Sequence, residues 1–561
     1  MQEITQALAR ATQELFNVAT QPELSRPDEQ FGDYASNIAM QLAKQVGKNP
    51  REIAEAIVGH LEGQGIQATI AGPGFINIRL SDDVLRTEVA KMLDQTKAYG
   101  RPDNYAGQTV VTEYSDPNPF KVLHAGHLYT TLVGDSISRL LESAGASVHR
   151  VNFGGDVGLH VAKNMWAIMR FIDNDPARLA EIDEDPHVRA GWLSKRYVEG
   201  NTAYEEHEAA KAEIIDVNKK VYQLHAEDDH DSVFAQVYWT CREWSYSYFK
   251  ILYDELEVVP FERYYPESQT TPTGIATVQE QLKNGVYEES DGAVVFNGEK
   301  YGLHTRVFMN SQGLPTYEAK DVGLIMQKWQ DYHFDKSVVV TANDIVEYMK
   351  VVQKSIEQFA PELTKRSVHL THGNLKLQGG VKMSSRKGNF LLALDVLEAA
   401  SEASKALTGQ ENRQAMLGAV KYAFLKQRIG GDIVYNPAES VSLEGNSGPY
   451  LQYAHARACS IMGKAQAQPS LFEGELTAPE RSLVRKLTEY PEVLRLAVDE
   501  YMPHYICTYL YELAQTFNRF YEHSRVIGDE REAARLGLVK AYTTILRDGL
   551  WLLGVTAPER L

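Results

Sequence analysis

His124-Ala125-Gly126-His127 sets two imidazoles three positions apart, where a helix should begin just after a β-branched strand. A helix start offers unpaired N–H donors and the positive end of a dipole, which suits a polyanion. Two imidazoles on one face add donors, and Gly126, lacking a Cβ, would let a flat base lie against the backbone. Far downstream, Lys382-Met383-Ser384-Ser385-Arg386-Lys387-Gly388 forms a basic loop, preceded by Gly379 and Gly380. A lysine ammonium is a compact charge on a flexible stem, and the glycines suit a loop that closes after a nucleotide enters. Ser384 adds a hydroxyl donor. The chemistry such a pair could perform is attack on a phosphate of a nucleoside triphosphate, with the leaving group's charge neutralised from two sides. Tyr317 and Asp321, four residues apart on an expected helix, share one face; alone they would read as a packed aromatic and a surface charge.

An α/β pattern must position these groups. Residues 1–105 read as an α+β module, in which Thr69–Ile70, a Gly-Pro-Gly turn and Phe75–Leu80 form strand, turn and strand. Thr109–Tyr114 predicts a strand, about 126–143 a helix ended by Gly145, and Val148–Phe153 another strand. That βαβ unit calls for a parallel sheet with its ligand at the strands' carboxyl ends. The charge-rich stretch of about 160–295 reads as a helical insertion with a solvated surface. Strands at Ala293–Phe296, Thr305–Met309 and Ser337–Thr341 are expected to close the sheet. After about 395 the pattern is helical to the end. The expected division is 1–105, a catalytic Rossmann-like domain at 106–395, a helical connector at 396–440, and an all-α domain at 441–561.

The 561 residues, 43 % hydrophobic and 24 % charged, fit a chain of several ordinary globular domains. No leader and no bilayer-length apolar run is seen, so no membrane association is expected. Cys241, Cys459 and Cys507 stand far apart without metal-ligand spacing, so no dedicated metal site is expected and a reducing cytoplasm is the natural setting. The net charge of −18 argues against indiscriminate nucleic-acid binding while leaving room for a shaped RNA reached through local basic patches.

The two motifs in this order resemble the ATP site of class I aminoacyl-tRNA synthetases. The segment Glu113-Tyr114-Ser115-Asp116-Pro117-Asn118-Pro119-Phe120-Lys121, running into His124, resembles the arginyl-tRNA synthetase version, as do Gly134-Asp135 and Gly154-Gly155-Asp156-Val157-Gly158. The family usually has Trp where Val157 stands. Its loop usually has a second Lys where Ser385 stands, and Lys121 or Lys387 could replace that charge. The likeness extends to Phe31-Gly32-Asp33-Tyr34 near the start, and toward the end to Leu443 through Arg457, Tyr511 through Tyr521 and Ala557 through Leu561.

The resemblance implies a Rossmann-like class I catalytic domain with a helical insertion, an N-terminal α+β module and a C-terminal all-α anticodon-binding bundle. It implies arginine activation by ATP, with Mg²⁺ accompanying the ATP, and transfer to tRNA(Arg), with adenylation dependent on tRNA. ATP would meet His124, Gly126, His127, Lys382 and Met383; Lys121 and Ser384 would join His124, His127 and Lys382 in catalysis. Arginine would meet Glu113, Ser115, Asn118, Tyr317 and Asp321, because a buried guanidinium needs carboxylates. Phe31, Tyr34, Tyr453 and Arg457 are candidates for RNA contact, and a monomer is expected. Two rivals remain: a nucleotidylyltransferase without a tRNA step, and a tRNA-binding protein without catalysis.

Overall fold

The computed structural model describes residues 2–95, 98–377 and 391–560. The N-terminal module comprises α1 (Gln2–Phe16), β1 (Tyr34–Ser36), α2 (Ile38–Val46), α3 (Pro50–Glu62), β2 (Gln67–Ala71) and β3 (Phe75–Arg79). Its antiparallel sheet, β1-β3-β2, buries Ile76 and Ile78 against Ile53, Ile57 and Leu61 of α3. Helix α4 (Asp82–Gln95) leads to β4 (Thr109–Glu113).

Helix α5 (Ala125–Ser143), β5 (Ser147–Gly154) and α6 (Leu159–Phe171) follow. Helices α7 (Pro186–Glu206), α8 (Glu208–Ala226) and α9 (Val233–Glu255) pack with α6 around Val161, Met165, Leu193, Val221 and Tyr238. The chain returns through β6 (Arg263–Pro266), α10 (Glu267–Lys283), β7 (Glu288–Ser290), β8 (Ala293–Phe296), β9 (Arg306–Met309) and α11 (Tyr317–Tyr332). Then come β10 (Lys336–Ala342), α12 (Val346–Glu357), α13 (Pro361–Arg366), β11 (Ser367–His372) and β12 (Leu375–Leu377). The helical remainder holds α14 (Ala393–Thr408), α15 (Arg413–Leu425), β13 (Ile433–Tyr435), α16 (Pro437–Ser440) and α17 (Gly448–Lys464). It ends with α18 (Ala478–Leu487), α19 (Tyr490–Glu500), α20 (His504–His523) and α21 (Glu532–Leu552).

The central sheet is parallel throughout, in the order β11-β10-β4-β5-β6. Strand order reverses between β4 and β10, and a crevice opens at the carboxyl ends of strands at such a switch point. Strand β4 (Thr-Val-Val-Thr-Glu) is covered on both faces, as its β-branched run requires. Helix α5 is buried almost all round because the C-terminal helices close its far side: Ser136 Oγ donates to the Leu552 carbonyl at 2.8 Å. Helices α10 and α11 cross closely at Gly274 and Gly323, where an added Cβ would lie 2.1 Å from the Ala319 oxygen and 2.2 Å from the Thr270 oxygen.

Three expectations are corrected. The stretch 160–295 is not one helical insertion: β6 pairs with β5 inside the main sheet, and its short Arg-Tyr-Tyr-Pro run lies between two long helices that mask it. Strands β8 and β9 exist but pair with β7 in a separate antiparallel sheet; β10 enters the main sheet, with β11 at its edge. The region after 395 includes β13, paired with β12.

Candidate active site

His124 is the N-cap of α5, with φ −96° and ψ 168°. Its Nδ1 accepts from the Gly126 N–H at 3.1 Å, and His127 Nδ1 accepts from the His124 N–H at 3.2 Å. The rings stack 3.8 Å apart. With both Nδ1 atoms engaged as acceptors, the ring protons fall on the Nε2 atoms, which become the donors. Burial, reinforced by the Lys121 charge, holds His124 down at about 4, and burial and His124 hold His127 well below the usual range. Both are therefore neutral donors at pH 7. Gly126 is needed for a reason other than the expected one: a Cβ there would lie 2.8 Å from His124 Cε1, so the first imidazole already occupies its face.

Lys382, Met383 and Ser384 lie outside the described residues. Residues 391–393 lie beside the first motif: the Ala125 N–H donates to the Leu391 carbonyl at 2.8 Å, and the Ala393 N–H to the Leu123 carbonyl at 2.9 Å. Lys121 lies over the Tyr197 ring, 4.4 Å from its centroid. Burial and the neighbouring Lys163 charge push it down to about 8.

The loop after β4 carries three non-glycine residues in left-handed conformations, Ser115 (φ 75°), Asp116 (φ 47°) and Phe120 (φ 66°). Such strain collects at functional sites, where surrounding contacts over-determine the backbone. Asp116 Oδ1 accepts from the Phe153 N–H at 2.8 Å, and Asn118 Oδ1 from the Gly155 N–H at 2.8 Å. The Ser115 hydroxyl is 3 % exposed and bonds Tyr253 and Thr131, both at 2.8 Å, which sets it behind the crevice rather than in it.

Four buried or half-buried carboxylates gather here. Glu113 pairs with Lys328, and Glu267 with Lys320. Asp116 and Asp321 have no cationic partner among the described residues; Asp321 accepts from the Tyr348 hydroxyl. Burial first, then the Glu113 charge, raises both well above the ordinary carboxylate range. The crevice thus holds surplus negative charge that one planar cation would relieve. Tyr317, 56 % exposed, stands at the rim, with Lys320 Nζ 5.1 Å from its ring centroid.

Sequence reasoning missed Lys328, although it lies seven residues after Asp321 on the same helical face. It also missed Asp116, hidden between residues that drew attention. Val157 is fully buried in the α6–α9 core rather than on the wall of the crevice.

The proposed RNA contacts divide. Phe31 is 50 % exposed and Tyr453 48 %. Arg457 lies over the Tyr521 ring at 4.8 Å. Tyr34 must be corrected: it is 3 % exposed, its hydroxyl bonds Glu492 at 2.7 Å, and Arg26 covers its ring. Together with Asp33, which pairs with Arg481 at 2.8 Å, it docks the N-terminal module on the C-terminal helices and cannot stack on a base.

A parallel sheet with a switch-point crevice, a donor-rich helix start and flanking helical modules defines a nucleotide-binding α/β domain built into a larger assembly. The model for "tRNA synthetases class I (R), catalytic domain" matches residues 88–436, "DALR anticodon binding domain" 451–561 and "Arginyl tRNA synthetase N terminal domain" 2–80. The arginine–tRNA ligase of Bdellovibrio bacteriovorus is 30% identical, over 95% of this chain and 93% of its own. That of Clostridium perfringens is 29% identical over 95% of each. The solved arginyl-tRNA synthetase of Thermus thermophilus shares the fold, with a TM-score of 0.80 at 23% identity over 100% of both chains. The Plasmodium falciparum enzyme gives 0.81 at 22%, over 100% and 99%. The chain belongs to the arginyl-tRNA synthetase family of class I.

Proposed function

We propose that this chain is an arginine–tRNA ligase. The observation that carries this reading is the pair of carboxylates without a cation among the described residues, Asp116 and Asp321, in the crevice beside the His124–His127 helix start. A guanidinium set between them satisfies a buried charge that otherwise costs stability. Glu113 holds its place beside them through Lys328, Asn118 faces the amino-acid backbone end, and Tyr317 closes over the side chain. The Nε2–H groups of His124 and His127, with Lys121, face the triphosphate; Lys382, Met383 and Ser384, outside the described residues, are the loop residues assigned to ATP and catalysis. Gly126 lets His124 keep its pose.

The arginine carboxylate attacks the α-phosphorus of ATP, and pyrophosphate leaves with the bonding electron pair. The terminal ribose oxygen of tRNA(Arg) then bonds the arginyl carbonyl carbon as the acyl–phosphate bond breaks; AMP departs, and the hydroxyl proton ends on its phosphate. No described side chain is needed as a general base, and positioning with charge stabilisation supplies the rate. Mg²⁺ would travel with ATP, consistent with its preference for phosphates and water. No cluster of three His, Cys, Asp or Glu among the described residues has the spacing of a metal cage, so no step is routed through the ion. Phe31, Tyr453 and Arg457 are the RNA-facing candidates, adenylation depends on tRNA, and the enzyme works as a cytoplasmic monomer.

Charging assays with arginine, lysine and citrulline test this reading. Ester formation on tRNA with arginine alone supports it; charging with citrulline or another amino acid at a comparable rate refutes it.

A further inference from the structure

His160 stands in the first turn of α6 and is 8 % exposed. Its Nε2 lies 2.7 Å from the Gly155 carbonyl oxygen. A carbonyl can only accept, so Nε2 carries the ring proton and Nδ1 is a bare acceptor. No donor among the described residues reaches that buried Nδ1. A buried acceptor left unmade is costly and uncommon, and calls for a partner.

Gly158, the N-cap of α6 at φ 109°, brings a backbone without a side chain up to it. Lys320 Nζ, His160 Nδ1 and the Tyr222 hydroxyl lie 3.5, 3.8 and 3.9 Å from the point a Gly158 Cβ would occupy. The charges of Lys121, Lys320 and Lys163 all bear on the imidazole and, with burial, keep it unprotonated. The missing donor is thus a neutral group, because an ammonium would add positive charge beside three lysines. A ribose hydroxyl fits, since the lysines then face its flanking phosphate. The ring also touches the amino-acid end of the crevice: Gly155, whose carbonyl meets His160, donates its N–H to Asn118.

We propose that His160 Nδ1 accepts a hydrogen bond from the terminal ribose hydroxyl of tRNA and aims its oxygen at the arginyl carbonyl. This rests on the ligase reading above. The Tyr222 hydroxyl, paired with Lys320, borders the same point beside Gly158, and the incoming ribose displaces it. The imidazole takes no proton in the transfer.

The test uses the full chain with tRNA ending either in adenosine or in 2′,3′-dideoxyadenosine. Wild type binds the hydroxylated end about 5- to 10-fold more tightly, the net worth of one hydrogen bond. His160→Leu loses that preference. His160→Gln keeps it, because an amide can donate to Gly155 and still accept through Oε1. Pyrophosphate exchange supported by the dideoxy tRNA is equal in all three proteins, whereas single-turnover transfer to normal tRNA falls at least about tenfold in the Leu variant alone.

A wild type without the preference overturns the assignment and needs no variant. So does a Leu variant that keeps the preference, a folded Gln variant that loses it, or equal losses of exchange and transfer. A preference seen instead in KM for ATP over its dideoxy analogue, and abolished in the Leu variant, would give the acceptor to ATP and overturn the tRNA assignment. If wild type charges no arginine, the ligase reading itself fails; if it charges arginine without the preference, His160 alone is misassigned.

Discussion

Arginine binding should expel a proton. Of the four crevice carboxylates, Glu113 and Glu267 are neutralised by Lys328 and Lys320, whereas Asp116 and Asp321 are desolvated beside Glu113 and pair with no cation among the described residues. Both are raised well above the ordinary range, so the free enzyme holds at least one proton there at mildly acidic pH. A guanidinium between them favours both charged forms and drives that proton off. Arginine affinity therefore rises with pH by up to about tenfold per unit, then levels above the free-enzyme value. Titration calorimetry in two buffers of different ionisation enthalpy reads the proton directly. Asp321→Asn should cost arginine binding about 2–5 kcal/mol, roughly 30- to several-thousand-fold, with much less effect on ATP.

The same substitution should stabilise the empty enzyme. A carboxyl raised in the folded state keeps a proton that the unfolded chain has already lost. Folding stability therefore falls as pH climbs from the unfolded value through the raised folded one. The Asn variant escapes that loss, so it melts higher at neutral pH, and its advantage shrinks toward about pH 4. Buffer-independent heats and a flat affinity profile would refute the reasoning. So would an Asn variant that binds arginine as well as wild type.

Lys121→Ala should slow adenylate formation by about 10²–10³ while leaving tRNA affinity nearly intact. Because burial sets the ammonium near 8, wild type should lose rate as pH rises through that value, and the variant should lack this limb in a pH–exchange profile. An unchanged rate would pass the role to Lys387. Tyr34→Phe should loosen the docked N-terminal module by about 1 kcal/mol in a melting curve without changing arginine activation. Phe31→Ala should raise KM for tRNA with no change in melting. Gly323→Ala puts a Cβ 2.2 Å from the Thr270 oxygen, so α11 must shift with Lys320 and Asp321; stability should drop by about 1–3 kcal/mol and arginine KM should rise, measured by melting and initial rates.

The βαβ unit and the helix start at His124 were legible because they are local: β-branched strands, a helical apolar period and a polar cap each announce themselves within a few residues. Strand β6 was not, since four residues carry too little period to compete with the long helices on either side. Strands β8 and β9 were visible as strands, but their pairing with β7 in a separate sheet is a tertiary matter. In the site, Glu113, Asn118 and Asp321 came from the resemblance of their segments to the arginyl-tRNA synthetase family, not from spacing alone. The Lys328 pair spans 215 positions in sequence, and no local pattern joins its ends. Tyr34 misled for the same reason: an aromatic beside an exposed Phe31 looks like an RNA contact until Glu492, far down the chain, claims its hydroxyl.

The most direct test is arginine-driven exchange of pyrophosphate into ATP, run with arginine or citrulline and with or without tRNA(Arg). Exchange that needs arginine's positive side chain and appears only with the tRNA would uphold a guanidinium held by Asp116 and Asp321 beside the His124–His127 helix start. Exchange supported equally by citrulline, or by a different amino acid without tRNA, would contradict it.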